Sequence, residues 1–164
     1  MTNKTVLITG GNKGIGLDVT EMFLEAGYRV IVVARDFTDF PFDTDERVET
    51  KVFDLFNLED IPALFQQIGR VDVLINNAGI MHALPYDDYP QAKIEQIIKV
   101  NIEAPVALIR EAAKGMIQNG GGRIVNNASI AGEIGHPDVW YGITKDGMLN
   151  MTKSFDKIFG LQGI

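Results

Sequence analysis

The stretch Thr5-Val6-Leu7-Ile8-Thr9-Gly10-Gly11-Asn12-Lys13-Gly14-Ile15-Gly16 decides the fold. Its first part is a short apolar, β-branched run without alternation, the pattern of a strand buried on both faces of a parallel sheet. Glycines follow, and behind them Ile15, Val19, Met22, Phe23 and Ala26 recur at helical spacing until Gly27 supplies a stop. A second buried run at 30–34 completes a βαβ unit, and further strand-like runs lie at 48–53, 71–76 and 123–127. Leu58, Ile61, Leu64, Phe65 and Ile68 mark another helix behind an Asn57 cap, and a long helix is predicted over 92–118. The alternation predicts an α/β fold, a doubly wound parallel sheet in one domain spanning 1–164. The connection 36–47 is short for a helix and contains Pro41. A loop is predicted there, with Phe37, Phe40 and Phe42 lying over the sheet in place of the helix; a ligand role for them is the weaker alternative.

Composition narrows the function. Apolar residues at 46% and charged residues at 23% fit a soluble globular protein and speak against disorder. A net charge of −7 argues against nucleic acid or an anionic membrane as the main partner. The absence of cysteine excludes disulfides, thiolate metal sites and a cysteine nucleophile. The chain runs from Met1 to Ile8 straight into a strand without a long apolar leader, and no apolar run approaches membrane-spanning length, so a cytoplasmic location is expected. His82 and His136 lack carboxylate or cysteine partners at metal-ligand spacing, so no metal site is predicted and both are expected to be solvated or to line a cleft.

Gly10, Gly14 and Gly16 fall between a predicted strand and a predicted helix, where backbone N–H groups and the positive helix end can face a pyrophosphate. Their spacing, Gly-x-x-x-Gly-x-Gly, differs from the dinucleotide pattern Gly-x-Gly-x-x-Gly, and no Gly-Lys-Ser/Thr ending makes it a triphosphate loop. An ordinary tight turn competes with this reading until the strand–helix context is added. Tyr141 and Lys145 stand one helical turn apart, a weak signal alone because a lysine at i+4 often covers a helical tyrosine.

Position strengthens both. The chain carries Thr9-Gly10-x-x-x-Gly14-x-Gly16, then Asn76-Asn77-Ala78-Gly79, Asn101, Ser129 and the Tyr141/Lys145 pair, in that order. Over its entire length it resembles the short-chain dehydrogenase/reductase family. The resemblance implies a Rossmann-type sheet of strand order 3-2-1-4-5 and an NAD(P)-dependent oxidoreductase that moves hydride between nicotinamide and the carbonyl or secondary alcohol of a small molecule. It implies a catalytic set of Asn101, Ser129, Tyr141 and Lys145. Tyr141 is the acid–base, Lys145 lowers its pKa and bonds the nicotinamide ribose, and Ser129 bonds the substrate oxygen. An ordinary phenol ionises near pH 10, so bringing one close to neutrality takes roughly 4 kcal/mol of differential stabilisation. The Asn101 carbonyl would bind a water in a proton relay. Pro105, four residues on, cannot donate the helical N–H that this carbonyl would accept, which gives the opening a physical reason; a plain kink is the competing account.

The same resemblance places Gly10, Asn12, Lys13, Gly14, Ile15 and Gly16 at the cofactor phosphates, Asp54 and Leu55 beside the adenine, Asn77, Ala78 and Gly79 beside the adenosine ribose, and Tyr141 and Lys145 at the nicotinamide end. The second strand ends in Ala34, not in the acidic residue that would bond the NAD ribose, and Arg35 and Lys13 can converge on a 2′-phosphate. NADP(H) is therefore favoured. NAD(H) is the alternative, because a one-residue shift of the strand end would bring Asp36 to the ribose; for Asp54 the alternative is a strand-end cap. Met81, Ile134, Val139 and Trp140 are expected to form an apolar wall near the nicotinamide. A homo-dimer or homo-tetramer is implied, with Ile143, Met148, Met151 and Phe155 as candidate contacts, although core packing explains some of them equally well. Family members continue beyond the Gly163-Ile164 pair into a sixth and a seventh strand, leaving the fifth strand an open edge here. The favoured explanation is a fragment of a longer enzyme; an oligomer completed by a partner and a non-catalytic NADP-binding or interaction module are the others.

Overall fold

The computed structural model describes residues 4–164; the start of the run from Met1 lies outside the described residues. Five strands form where the apolar runs predict them: β1 Thr5–Thr9, β2 Arg29–Ala34, β3 Val48–Val52, β4 Val73–Asn76 and β5 Arg123–Asn126. All pair in parallel, in the order β3-β2-β1-β4-β5. This is the Rossmann-type order expected from the sequence. The helices are α1 Gly14–Glu25, α2 Ile61–Ile68, α3 Gln91–Ile98, α4 Ala104–Gln118, α5 Ala131–Ile134 and α6 Val139–Phe159.

Neighbouring residues of a strand point to opposite faces, so an unbroken apolar run supplies two cores. On one face Leu7, Ile31, Val33 and Leu74 pack with Ile61, Leu64 and Ile68 of α2 and Leu108, Ile109 and Met116 of α4. On the other Val6, Ile8, Val30, Val32 and Ile75 pack with Leu24 of α1 and with Phe40. Gly27, at φ 81°, ends α1: its N–H bonds the Leu24 carbonyl and Tyr28 bonds that of Phe23. The Tyr28 ring then meets the Phe23 ring edge-on at 4.9 Å, closing the turn with an apolar contact.

Between β2 and β3 no helix forms, as Pro41 predicts. Phe40 is 6% exposed and meets Phe37 and Phe42 edge-on at 5.5 and 5.9 Å, covering the sheet where a helix would otherwise lie. Arg47 ties the end of this loop to α1, with Nη1 donating to the Leu24 carbonyl at 2.8 Å while its other nitrogens hold Asp45. Those bonds from Arg47 lower the Asp45 carboxyl to about 2.

Three expectations need correction. The long helix is not continuous, because α3 passes through a π turn, Lys99–Glu103, before α4 begins. Ala104 donates to the Lys99 carbonyl, five residues back, and Pro105 has no N–H to give Asn101; proline has widened the helix and not merely kinked it. Asn57 precedes a 3-10 turn, Leu58–Asp60, and its side chain makes no capping bond. Met148 is fully buried in the interior, which removes it from the candidate oligomer contacts. Val125 on β5, an edge strand of this sheet, is 48% exposed.

If Phe40 stands in for a helix, Phe40→Ala should destabilise the fold by about 3–5 kcal/mol, as for other buried aromatic truncations. Urea unfolding measures this.

Candidate active site

Parallel strands carry all their C-terminal ends to one edge of the sheet, and the loops leaving β1, β4 and β5 meet there with the start of α6. They enclose a cleft of about 410 Å³ that runs from Lys13, Ile15 and Gly16 past Asn77 and Gly79 to Ser129, Tyr141 and Lys145.

At one end α1 begins without a side-chain cap, since its N-cap residue, Lys13, offers no acceptor. Gly16 is required by close approach: a Cβ there would collide with the Gly10 carbonyl. The turn is clamped to the end of β4. Asn77 Nδ2 donates to the Thr9 and Gly10 carbonyls at 3.1 and 3.2 Å, and Thr9 Oγ1 accepts from the N–H groups of Asn77 and Ala78. Asn77 Oδ1 in turn accepts from Asn127 Nδ2 at 2.9 Å. The Asn77 amide is thus spent on holding three strand ends together.

At the other end Lys145 is 4% exposed, its Nζ donating to the Asn127 carbonyl at 2.8 Å and standing 5.7 Å from the centre of the Tyr141 ring. Burial pushes the Lys145 ammonium below its ordinary pKa. Ser129 Oγ accepts from the Ala131 N–H at 3.2 Å as α5 begins. Asn101, fully buried in the π turn, does not face the cleft with its amide. It accepts from Ile80 N at 2.8 Å, donates to Ile80 O at 2.9 Å and donates to Thr144 Oγ1 at 3.1 Å.

The remaining cofactor candidates are not among the residues that line this cleft. Asn12 Nδ2 donates to the Asp36 carbonyl at 2.7 Å, and Arg35 is exposed just beyond β2. Leu55 is buried in the core, and Asp54 Oδ1 accepts from Phe56 N at 3.0 Å, a local turn bond. Gly10 and Gly14 form the turn at positive φ, and Ala78 packs against the core. Of the expected apolar wall, Met81 lines the cleft and Ile134 and Val139 are exposed, but Trp140 packs beside Tyr89, with 6.5 Å between ring centres.

Two functional residues escaped the sequence reading. Asp138, 2% exposed, is the N-cap of α6: Oδ1 accepts from Tyr141 N at 3.0 Å, and Oδ2 accepts from Ala83 N at 2.8 Å, His82 N at 3.2 Å and Tyr89 Oη at 3.4 Å. Burial raises this carboxyl, but the N–H groups of Tyr141 and Ala83 and the other donors outweigh it and hold it below its ordinary value. Burial first, and then the Asp138 charge, push the Tyr89 phenol up to about 12. Thr144 donates to the Tyr141 carbonyl at 2.9 Å. An aspartate immediately before the helical run was the available signal for Asp138. The histidines are not solvated bystanders. His136 Nδ1 accepts from Asp138 N at 3.0 Å, its ring lies 5.2 Å from that of Tyr141, and His82 Nε2 is buried without a hydrogen-bond partner. Among the described residues no group of three or more His, Cys, Asp or Glu is placed to hold a metal, and no helix is long and apolar enough to cross a membrane.

An uncapped helix start behind a glycine turn thus lies at one end of the cleft and a buried lysine at the other. Residues 4–164 match the family described as short chain dehydrogenase, and the chain belongs to this family of NAD(P)-dependent oxidoreductases. It is 34% identical to D-xylose 1-dehydrogenase of Caulobacter vibrioides over 98% of this chain and 67% of that protein. It is 33% identical to a 3-oxoacyl-(acyl-carrier-protein) reductase of Rickettsia bellii over 100% of this chain and 70% of the relative. Among solved structures, 4-hydroxyisoleucine dehydrogenase complexed with NADH superposes with a TM-score of 0.93 at 33% identity, covering 99% of this chain and 70% of that one. ElxO with NADP bound gives 0.91 at 32% identity, covering 99% and 71%. The chain spans 57% of a ketoacyl reductase of Nostoc and about two thirds of the Caulobacter enzyme.

The donor set fits a nicotinamide dinucleotide. Gly79 lines the cleft beside the Lys145 ammonium, where a Cβ would make ordinary contact with Nζ at 3.6 Å. One of the three lysine N–H donors is used by Asn127, which leaves two for a vicinal diol. The uncapped start of α1 suits a pyrophosphate.

Because the folded-state pKa of Lys145 lies below that of an unfolded lysine, the charged form weighs against folding at neutral pH, and this penalty is relieved as pH rises through the window between the two values. Wild type should therefore gain thermal stability relative to Lys145→Met as pH is raised from about 7 to about 10. Paired melting curves check the sign.

Proposed function

We propose that this chain carries an NADP(H)-dependent reductase site, with Tyr141 as acid–base toward a small carbonyl compound or secondary alcohol. The buried Lys145 Nζ, held on Asn127 and 5.7 Å from the centre of the Tyr141 ring in the cleft that Ser129 also lines, carries the reading. A bound nicotinamide supplies or accepts the hydride. Tyr141 Oη gives its proton to the carbonyl oxygen as charge develops there. Lys145 Nζ, anchored on Asn127, offers its remaining donors to ribose hydroxyls. Ser129 Oγ accepts from Ala131 N and so keeps its own proton for the substrate oxygen, a small oxyanion contact. Asn101 contributes through its backbone carbonyl, since its amide is committed to Ile80 and Thr144 and Pro105 withholds the helical donor.

For the cofactor, the N–H groups of Gly14, Ile15 and Gly16 face the pyrophosphate while Gly10 and Asn12 shape the turn. Asp54, Leu55, Asn77, Ala78 and Gly79 border the adenosine. β2 ends at Ala34, and Asp36 commits Oδ1 to Thr38, accepting from its N–H at 2.9 Å and its hydroxyl at 2.7 Å. Those two bonds, the backbone one first, lower the Asp36 carboxyl, with the nearby charge of Lys13 adding to them. Arg35 and Lys13 are exposed and, among the described residues, form no ion pair with a carboxylate, which suits a 2′-phosphate better than a bare ribose. A homo-dimer or homo-tetramer would use the outer face of α4 and the exposed Ile143 of α6.

Tyr141→Phe should lower kcat/KM by about a hundredfold or more while leaving NADPH affinity within about twofold. NADPH oxidation with ethyl acetoacetate and NADP+ reduction with D-xylose provide the assays, and full turnover in the variant would contradict the role. Calorimetric titration should show NADPH binding more tightly than NADH, with Lys13→Ala/Arg35→Ala cutting that preference roughly tenfold or more. Equal affinity for the two cofactors in wild type would overturn the NADP(H) assignment.

A further inference from the structure

Tyr141 is held by its backbone from both sides. Its N–H donates to Asp138 Oδ1 at 3.0 Å, and its carbonyl accepts from Thr144 Oγ1 at 2.9 Å. An N-cap aspartate needs only one oxygen for capping, and an exposed one would turn the other to solvent. Asp138 is 2% exposed and turns Oδ2 the opposite way, onto the loop that follows β4. There it collects the N–H groups of two successive residues, His82 and Ala83, and the Tyr89 hydroxyl. For both amides to converge on one oxygen, Ala83 takes φ 55°, a left-handed conformation that is unfavourable for alanine. The same loop is gripped from behind by Asn101, which pairs with both the N–H and the carbonyl of Ile80. Ile80 and Met81, between the two grips, line the cleft opposite Tyr141.

We infer that Asp138 is a positioning residue, whose carboxylate locks the Tyr141 end of α6 to the Ile80–Ala83 loop and so fixes the gap into which the reacting carbonyl must fit. The inference rests on the reading of Tyr141 as proton donor given above. It goes beyond helix capping, because a cap alone requires neither burial nor the contacts of Oδ2.

Two substitutions separate capping from locking. Asp138→Ser keeps a good N-cap acceptor for Tyr141 N and lacks the second oxygen. Asp138→Asn keeps the shape but turns an amide NH2 or a weaker acceptor toward donors. In the full-length protein, with NADPH and ethyl acetoacetate, both variants should lose about tenfold or more in kcat while the KM for NADPH stays within about twofold. Fluorine NMR of protein labelled with 3-fluorotyrosine reads the lock without turnover. The resonance missing from Tyr141→Phe should shift or broaden in both variants, and that of Tyr28, in the turn between α1 and β2, should stay. A Tyr141 resonance and a kcat that both match wild type, whatever the melting temperature, would overturn the inference. If Tyr141→Phe keeps full turnover, the reading of the site fails separately, and the NMR comparison still decides whether Asp138 fixes the Tyr141 ring.

Discussion

The carboxamide of Asn101 is the interaction on which the site depends. It is fully buried, it satisfies both backbone groups of Ile80, and it reaches Thr144 on α6. An amide presents a donor and an acceptor side by side, which is what pairing with one residue's N–H and carbonyl requires, and neither a carboxylate nor an ammonium offers that combination. The π turn is what brings it there. By widening the helix ahead of Pro105, the chain rotates Asn101 toward the loop after β4, where a regular α-helix would have carried it further round.

From that point a single network covers the Tyr141 end of the cleft. Asn101 holds Ile80, Thr144 links Asn101 to the Tyr141 carbonyl, and Asp138 links the Tyr141 N–H back to His82 and Ala83. Its three side chains Asn101, Asp138 and Thr144 are buried and paired, and such groups specify geometry because a broken bond would leave its partner unsatisfied. A second network, through Thr9, Asn77 and Asn127, clamps the glycine turn to the ends of β4 and β5 and supplies the carbonyl that anchors Lys145. Lys145, bonded to Asn127 and next to Thr144 on α6, stands where the two come together, so both ends of the cleft are held in one frame.

Much of this was legible in the sequence. The unbroken apolar runs of β1 and β2 state that both faces are covered, and the alternation with helical spacing gives the doubly wound sheet. Pro41 correctly signalled the missing helix, and Pro105 the disturbance at Asn101. The π turn itself was not legible, since proline states that a bond is lost and not how the helix will accommodate it. Met148 looked like a surface candidate because helical periodicity cannot tell a face packed on the core from one awaiting a partner. Asp138 escaped notice for a related reason: the backbone N–H groups that its Oδ2 collects belong to residues more than fifty positions away and leave no trace in local spacing.

The family gives a nicotinamide cofactor and oxidoreductase chemistry, and the roles proposed for Tyr141, Lys145 and Ser129 fall within it. In the proposed reaction this cleft moves hydride to a carbonyl, with Tyr141 supplying the proton. Its most direct test is isotope transfer from NADPH deuterated at C4 to ethyl acetoacetate, followed by mass spectrometry of the alcohol. The account expects deuterium at the new carbinol carbon with wild type and almost none with Tyr141→Phe. Deuterium-free alcohol, or equal transfer by the two proteins, would contradict it.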